Sequence, residues 1–213
     1  EVQCGQFVEV EVPNYFLRRP ISVCEVKEDH TIVLVYKVVG DGTRFMTTMH
    51  DEISLFGPCG NGFPVVDEDV LLIGGGVGVP PLLQTAKEYK KIGKNVSVVV
   101  GFNTKEDAIL IDELKKYSDA LYIATMDGSE GTKGTVIDAI NENNVDCEYV
   151  LSCGPLPMLK AINTKYTKGC ISLEARMACG IGACMGCVVK DNEGNSLRVC
   201  KDGPVFPIGK VVL

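Results

Sequence analysis

The chain has 213 residues, 46% of them hydrophobic and 23% charged, which is enough for one or two compact domains. A formal charge of −7 without any run of Lys and Arg excludes a nucleic-acid partner, since a phosphate-binding face needs clustered cations. No signal-like segment opens the chain, and the most apolar stretch, Val70 to Leu83, is broken by four glycines and two prolines, so no membrane partner is expected.

Taken in order, residues 1–66 read as short strands. Gly5 to Val12 alternates apolar and polar residues with period two, and Ile21–Val26, Thr31–Val39 and Ile53–Phe56 are further β-rich runs between turn residues. This pattern predicts a small antiparallel barrel. The chain opens already inside a strand, so the barrel is expected to be incomplete at its N-terminus. From about Asp67 the rhythm changes to buried strands alternating with helices. Val70–Ile73 is a strand, followed by a glycine turn and a helix whose Leu82, Leu83, Ala86 and Tyr89 share one face, with Gly93 as its stop. Strands at Val96–Val100, Ala120–Thr125 and Tyr149–Cys153 and helices at Glu106–Tyr117, Gly134–Asn143 and Pro155–Lys165 follow. Alternation of this kind predicts a doubly wound, parallel α/β nucleotide-binding domain over 67–168. Residues 169–213 form a small cysteine-bearing segment. The expected class is therefore β plus α/β.

Cys179, Cys184, Cys187 and Cys200 are spaced C-x4-C-x2-C-x12-C, the pattern of a plant-type [2Fe–2S] loop. Gly180, Gly182 and Gly186 let the backbone wrap closely and turn amides toward sulfur. A Cys4 zinc site is the main alternative, although zinc sites usually show two C-x2-C knuckles; disulfides are a further one. The other six cysteines (Cys4, Cys24, Cys59, Cys147, Cys153, Cys170) are scattered, which fits a reducing cytoplasm. Gly74-Gly-Gly-Val-Gly78 joins a buried strand to a helix, as a loop that approaches phosphate does; a purely structural tight turn is the alternative. Arg19-Pro-Ile-Ser22 could clamp a pyrophosphate through the arginine fork, or be a surface turn. Gly40–Thr43 reads as a plain turn. Cys153-Gly154-Pro155 ends a parallel strand, where a thiol lines a ligand cleft or is an inert core residue. His30 and His50 read as solvated and support neither zinc hydrolysis nor a Ser-His triad.

In order, Arg19-Pro20-Ile21-Ser22, Gly42-Thr43, Gly57-Pro-Cys-Gly60, Gly74-Gly75-Gly76-Val-Gly78, Asp127-Gly-Ser and Cys153-Gly154-Pro155 resemble the ferredoxin–NADP reductase superfamily. Glu174-Ala-Arg-Met-Ala-Cys-Gly-Ile-Gly-Ala-Cys-Met-Gly-Cys with Arg198-Val-Cys-Lys-Asp-Gly-Pro-Val-Phe206 is more specific, and resembles the electron-transfer subunits of class 1B dihydroorotate dehydrogenase. That resemblance implies roughly 30 residues before the Gly-Gln-Phe-Val motif, about two strands. It implies FAD on the barrel, held by Arg19 to Ser22, Val35, Tyr36, Lys37, Gly42 and Thr43, and NAD on Gly74, Gly75, Gly76, Gly78, Cys153, Gly154 and Pro155. The four clustered cysteines would hold [2Fe–2S]. Domains 1–66, 67–168 and 169–213 would then carry FAD, NAD and the cluster. The implied partner is an FMN-containing dihydroorotate dehydrogenase catalytic subunit, in a heterotetramer of two plus two. Electrons would pass from FMN through [2Fe–2S] and FAD to NAD+, and hydride exchange between flavin N5 and nicotinamide C4 needs no side-chain acid or base. Two acids beside the single Lys of Gly101–Asp107 favour NAD over NADP. A ferredoxin:NAD(P) reductase-type or other flavin/iron–sulfur oxidoreductase subunit and a non-enzymatic redox or zinc module are the alternatives. Glu174 receives no role at this stage.

Overall fold

The computed structural model describes all residues, Glu1–Leu213. The first part is an antiparallel sheet of β1 (Phe7–Val10), β2 (Arg19–Val26), β3 (Ile32–Leu34) and β4 (Leu55–Cys59), ordered β3-β2-β1-β4. The expected barrel thus takes the form of an open four-stranded sheet. Phe7 lies opposite Ser22 and Val10 opposite Arg19, so the arginine tetrapeptide is strand, not surface turn. Val8, Val10, Val12, Val23 and Met46 form the small core of this part.

Two expectations need correction here. Thr31–Val39 is not one strand: only Ile32–Leu34 pairs, and Val35–Lys37 leave the ladder to line the clefts described below. Gly40–Thr43 is not a plain turn. It opens helix α1 (Asp41–Met46), because the Thr43 hydroxyl accepts from the amides of Val39 (3.0 Å) and Gly40 (3.1 Å) and satisfies backbone donors that a helix start leaves free.

The second part is a seven-stranded sheet. Its elements are β5 (Val70–Gly75), α2 (Pro80–Lys91), β6 (Val96–Phe102), α3 (Ile111–Lys116), β7 (Ala120–Thr125), β8 (Thr132–Lys133), α4 (Val136–Glu142), β9 (Tyr149–Cys153), α5 (Leu156–Lys165) and β10 (Lys168–Ser172). A hairpin of β11 (Val188–Lys190) and β12 (Ser196–Arg198) follows, and then β13 (Val205–Pro207). The sheet order is β13-β10-β9-β5-β6-β7-β8; all pairs are parallel except β10–β13. The strand β10 runs across positions 168 and 169, and β13 returns from the cysteine segment into the same sheet.

Leu71, Leu72 and Ile73 of β5 are fully buried, as a strand covered on both faces requires. The predicted helix at Glu106–Tyr117 is interrupted because Leu110 has φ +60°, a left-handed conformation that no α-helix continues through; α3 starts after it. Helix α2 joins the two parts. Its Gln84 carbonyl oxygen accepts from the Val26 amide (2.9 Å), and Lys87 bonds Glu25 (2.7 Å). The buried Tyr89 donates its hydroxyl to the Pro64 carbonyl (3.1 Å), tying down the connector between the sheets. No helix is long and apolar enough to cross a membrane.

Candidate functional site

The parallel register brings strand ends together. Gly74 of β5 is level with Val100 of β6 and with Cys153 of β9, and Cys153 is level with Ser172 of β10. At this edge, where parallel sheets bind ligands, lies a cleft of about 800 Å³. Gly75, Gly76 and Pro155 line it from the predicted set. Gly74, Gly78 and Gly154 do not; they are packing glycines. A Cβ on Gly78 would overlap the Cys153 carbonyl, one on Gly74 would lie 2.8 Å from Leu82, and one on Gly154 would lie 2.9 Å from the Gly75 amide. The glycine loop and the Cys-Gly-Pro turn therefore touch backbone to backbone, which only glycine permits. Gly76 alone is open, with φ +52° and no atom within 4 Å of the place a Cβ would take.

A second cleft, of about 360 Å³, lies between the first sheet and the strand ends. Arg19, Pro20, Ile21, Ser22, Val35, Tyr36, Lys37 and Thr43 all line it, so the sequence-predicted group converges. The Arg19 guanidinium bonds the Leu17 carbonyl and stacks over Tyr15, 4.9 Å from the ring centre. Gly42 does not face the cleft. It is buried beneath Arg19, whose guanidinium would overlap any Cβ there. The fork is thus aimed by its neighbours before any ligand arrives, and with Ser22 it forms a donor set that fits a pyrophosphate-bearing flavin nucleotide. Cys153 faces this cleft, and burial pushes its thiol up to about 12, so it stays protonated at neutral pH.

The two clefts share five residues: Val35, Tyr36, Lys37, Val77 and Glu174. Val77 and Glu174 are absent from the sequence-predicted set, as are Phe102 and Asn103 of the larger cleft; Glu106 and Asp107, read in the sequence only for the choice of NAD over NADP, line it as well. Phe102 ends β6 and Asn103 follows it, so the rule that ligands bind at the carboxyl ends of parallel strands could have found both.

The cysteine loop is built around its sulfurs. Amide N–H groups donate to thiol sulfur from Cys184 to Cys179 (3.4 Å), Gly186 to Cys184 (3.4 Å), Cys200 to Cys187 (3.4 Å) and Gly182 to Cys200 (3.1 Å). The amides of Cys184 and Ile181 draw the Cys179 thiol down to about 6, whereas burial raises that of Cys200. Left-handed backbone at Gly180, Gly182 and Met185 (φ +68°, +81° and +60°) makes the wrap possible. Arg198 clasps Asp202 through two bonds (2.9 and 3.0 Å) and also reaches the Gly182 carbonyl (3.2 Å), holding both arms of the loop around Cys200. The amide-to-sulfur bonds link Cys179 with Cys184 and Cys187 with Cys200. All ten cysteines are free. Beneath the loop lies Glu9, 2% exposed, whose carboxyl oxygens have no hydrogen-bond partner; a Cβ on Gly180 would come within 2.6 Å of one of them. Burial, and then the charge of Cys179, raise its pKa. Anion-favouring amides on sulfur fit an iron–sulfur cluster, which such hydrogen bonds stabilise.

Comparison with known proteins agrees with this geometry. Residues 174–212 match the iron–sulfur cluster binding domain of dihydroorotate dehydrogenase B, and residues 72–164 the oxidoreductase NAD-binding domain. A dihydroorotate dehydrogenase B (NAD+) electron-transfer subunit from Fusobacterium nucleatum subsp. nucleatum is 44% identical, over 95% of this chain and 84% of that protein. One from Bacillus cereus is 43% identical, over 98% of this chain and 86% of that protein. Among solved structures, a chain of an NADH-dependent reduced ferredoxin-NADP oxidoreductase superposes with a TM-score of 0.89 and 34% identity, covering 100% of this chain and 80% of its own. Ferredoxin-NADP+ reductase from Plasmodium falciparum, at 14% identity and a TM-score of 0.61 over 76% of each chain, shares the fold. Matched over nearly its whole length, from the arginine strand to the cysteine loop, the chain belongs to the family of dihydroorotate dehydrogenase B electron-transfer subunits.

Proposed function

We propose that this chain accepts electrons from a separate FMN-containing dihydroorotate dehydrogenase catalytic subunit, in a two-plus-two assembly, and delivers them to NAD+. The observation that supports this reading is the sharing of five residues between the two clefts, as adjoining flavin and nicotinamide sites would require. Residues 1–66 supply the FAD site through Arg19, Pro20, Ile21, Ser22, Val35, Tyr36, Lys37 and Thr43, with Gly42 making room for the arginine. Residues 67–168 supply the NAD site through Gly75, Gly76 and Pro155, with Gly74, Gly78, Cys153 and Gly154 packed behind them. Residues 169–213 hold [2Fe–2S] on Cys179, Cys184, Cys187 and Cys200. The cluster exchanges single electrons and NAD+ takes two as a hydride, so a flavin, which does both, is the required intermediary. The chain's own part is placement: Arg19 orients, the glycine loop admits the nucleotide, and the packed turn behind it keeps the two rings' sites adjoining. Six scattered cysteines outside the cluster loop, none of them in a disulfide, support a reducing, cytoplasmic setting.

The test is to combine the purified chain with the catalytic subunit and follow dihydroorotate-dependent NADH formation. A colourless, zinc-loaded protein would sink the reading. The likeness to the ferredoxin-NADP oxidoreductase chain favours a second one, in which the donor is ferredoxin; activity with reduced ferredoxin but none with dihydroorotate would establish it.

Two further outcomes follow from the clefts. Arg19→Ala is expected to weaken FAD binding by about 1.5–3 kcal/mol, roughly 10- to 150-fold in Kd, because it removes charge-assisted bonds. Quenching of flavin fluorescence measures this, and an unchanged Kd would remove Arg19 from the site. Glu106 and Asp107 line the larger cleft, where they oppose a 2′-phosphate. Reversing both to Arg is expected to lower the NAD-over-NADP preference about 30-fold, given that each of the two exposed sites contributes on the order of 1 kcal/mol. The ratio of the two KM values is the readout.

A further inference from the structure

The smaller cleft is not closed by residues 1–66 alone. Leu173, Ala175, Met177 and Pro204, all from the segment that carries the clustered cysteines, line it as well. Met177 stands just before Cys179 in the chain, and Pro204 soon after Cys200. The two arms that hold the cysteine loop are therefore also walls of the flavin site.

These walls differ in what fixes them. Phe7 and Arg19 to Ser22 belong to the β1–β2 ladder. The arm after Cys200 is clamped to the first part of the chain, because the Asn61 amide donates to the Gly203 carbonyl (2.6 Å) and its side chain to the Asp202 carbonyl (3.0 Å). The arm before Cys179 has no such tie. Its ends are pinned where the Leu173 amide donates to the Pro204 carbonyl (2.9 Å) and where the Cys187 carbonyl accepts from Val199 (3.0 Å). Between them, residues 174–186 lie in no helix or strand and make no backbone-to-backbone hydrogen bond. Their hydrogen bonds run to cysteine sulfur, apart from the one Arg198 makes to the Gly182 carbonyl. A segment so short of backbone bonds opens readily by itself, and its shape is set by whatever ties its sulfurs together.

We infer that Ala175–Met177 is a flavin-binding arm set in place by the cluster, so that [2Fe–2S] and FAD bind this chain cooperatively; the inference rests on the cofactor sites proposed above. With the four sulfurs tied together, the arm is ordered and Ala175 and Met177 complete the cleft wall. With the sulfurs free, FAD binding must also order the arm, and that entropy loss weakens it. Coupling between two sites is reciprocal, so bound FAD also helps to retain the cluster. The larger cleft provides the contrast. It takes only position 174 from this segment, so NAD affinity is indifferent to the cluster.

The experiment uses the full chain in three forms: loaded with the cluster, stripped of iron by a chelator, and rebuilt with iron and sulfide. FAD affinity, read from flavin fluorescence, is expected to fall roughly 5- to 150-fold on stripping and to return on rebuilding, while NAD affinity stays unchanged. FAD should in turn slow the loss of iron to the chelator. Met177→Gly leaves all four cysteines in place; it should keep the cluster absorbance and lose about tenfold in FAD affinity. Met177→Leu, close in volume, should behave as the wild type. Equal FAD affinity in the loaded and stripped chains, or in Met177→Gly and the wild type, would overturn the inference. So would joint loss of FAD and NAD affinity on stripping, which marks general unfolding rather than a moved wall. If the loaded chain binds no FAD at all, the cofactor assignment itself falls and takes the coupling with it.

Discussion

Replacing any one of Cys179, Cys184, Cys187 or Cys200 by Ser should strip the protein of its red-shifted iron–sulfur absorbance and of electron delivery to NAD+, while Cys147→Ser leaves both intact. The loop leaves no spare sulfur: each of the four thiols accepts an amide N–H within 3.4 Å, two of them from another cysteine of the set and two from Gly182 and Gly186. A serine oxygen is harder and less readily ionised than the thiolate it replaces, so iron held by it is bound weakly. Cys147 instead donates weakly to the carbonyls of Asp69 and Tyr149 at the far end of the sheet, where its thiol only fills space. Iron and sulfide content per chain, read with the visible spectrum, decides the matter. Equal cluster content in all five variants would end the ligand assignment.

Gly78→Ala is expected to be the most damaging single-methyl change at the nucleotide cleft. The added carbon would overlap the carbonyl of Cys153, which belongs to a buried strand and cannot rotate away. Overpacking of this kind costs about 1–3 kcal/mol in stability. It also pushes apart the glycine loop and the Cys-Gly-Pro turn, so NAD affinity should fall more than tenfold with FAD binding kept. Gly40→Ala is the matching control, because nothing lies within 4 Å of its Cβ position and its backbone is extended (φ −167°). That variant should stay within about 0.5 kcal/mol of the parent. Thermal unfolding and NAD titration of the two proteins, side by side, provide the comparison. Equal behaviour would show that the loop yields.

Much of this arrangement is legible in the residues, for identifiable reasons. The cysteine spacing is a covalent ruler, and continuous apolar runs such as Val70–Ile73 leave a buried strand no alternative, so these features survive folding unchanged. Arg19–Ser22 is ambiguous by itself, since the same tetrapeptide suits a turn; pairing with β1 decides for strand. Glycine roles are harder to assign. Gly75 and Gly76 face ligand space, but Gly74 is required by its contact with Leu82 of the following helix and Gly78 by its contact with Cys153 on another strand. Val77 and Glu174 escape notice because a valine and a lone carboxylate carry no spacing, and only the meeting of two clefts makes them important. The break at Leu110 has no periodic signature either, as a single left-handed residue leaves the hydrophobic pattern intact.

The return of β13 to the sheet has a practical consequence for anyone who would transplant the iron–sulfur unit. The segment between β10 and β13 is closed at both ends by ladder pairs, with Cys170 opposite Pro207 and Ser172 opposite Val205. Cutting at position 169 would remove two strands from one edge of the nucleotide sheet and strip cover from Ile171 and Phe206, which are 0% and 3% exposed. A graft that keeps its shape must therefore carry the host's β9 edge as a landing strip, or supply an equivalent one. The redox unit is sewn into its neighbour rather than appended, so swapping it between proteins is a matter of exchanging sheet edges, not of joining beads on a string.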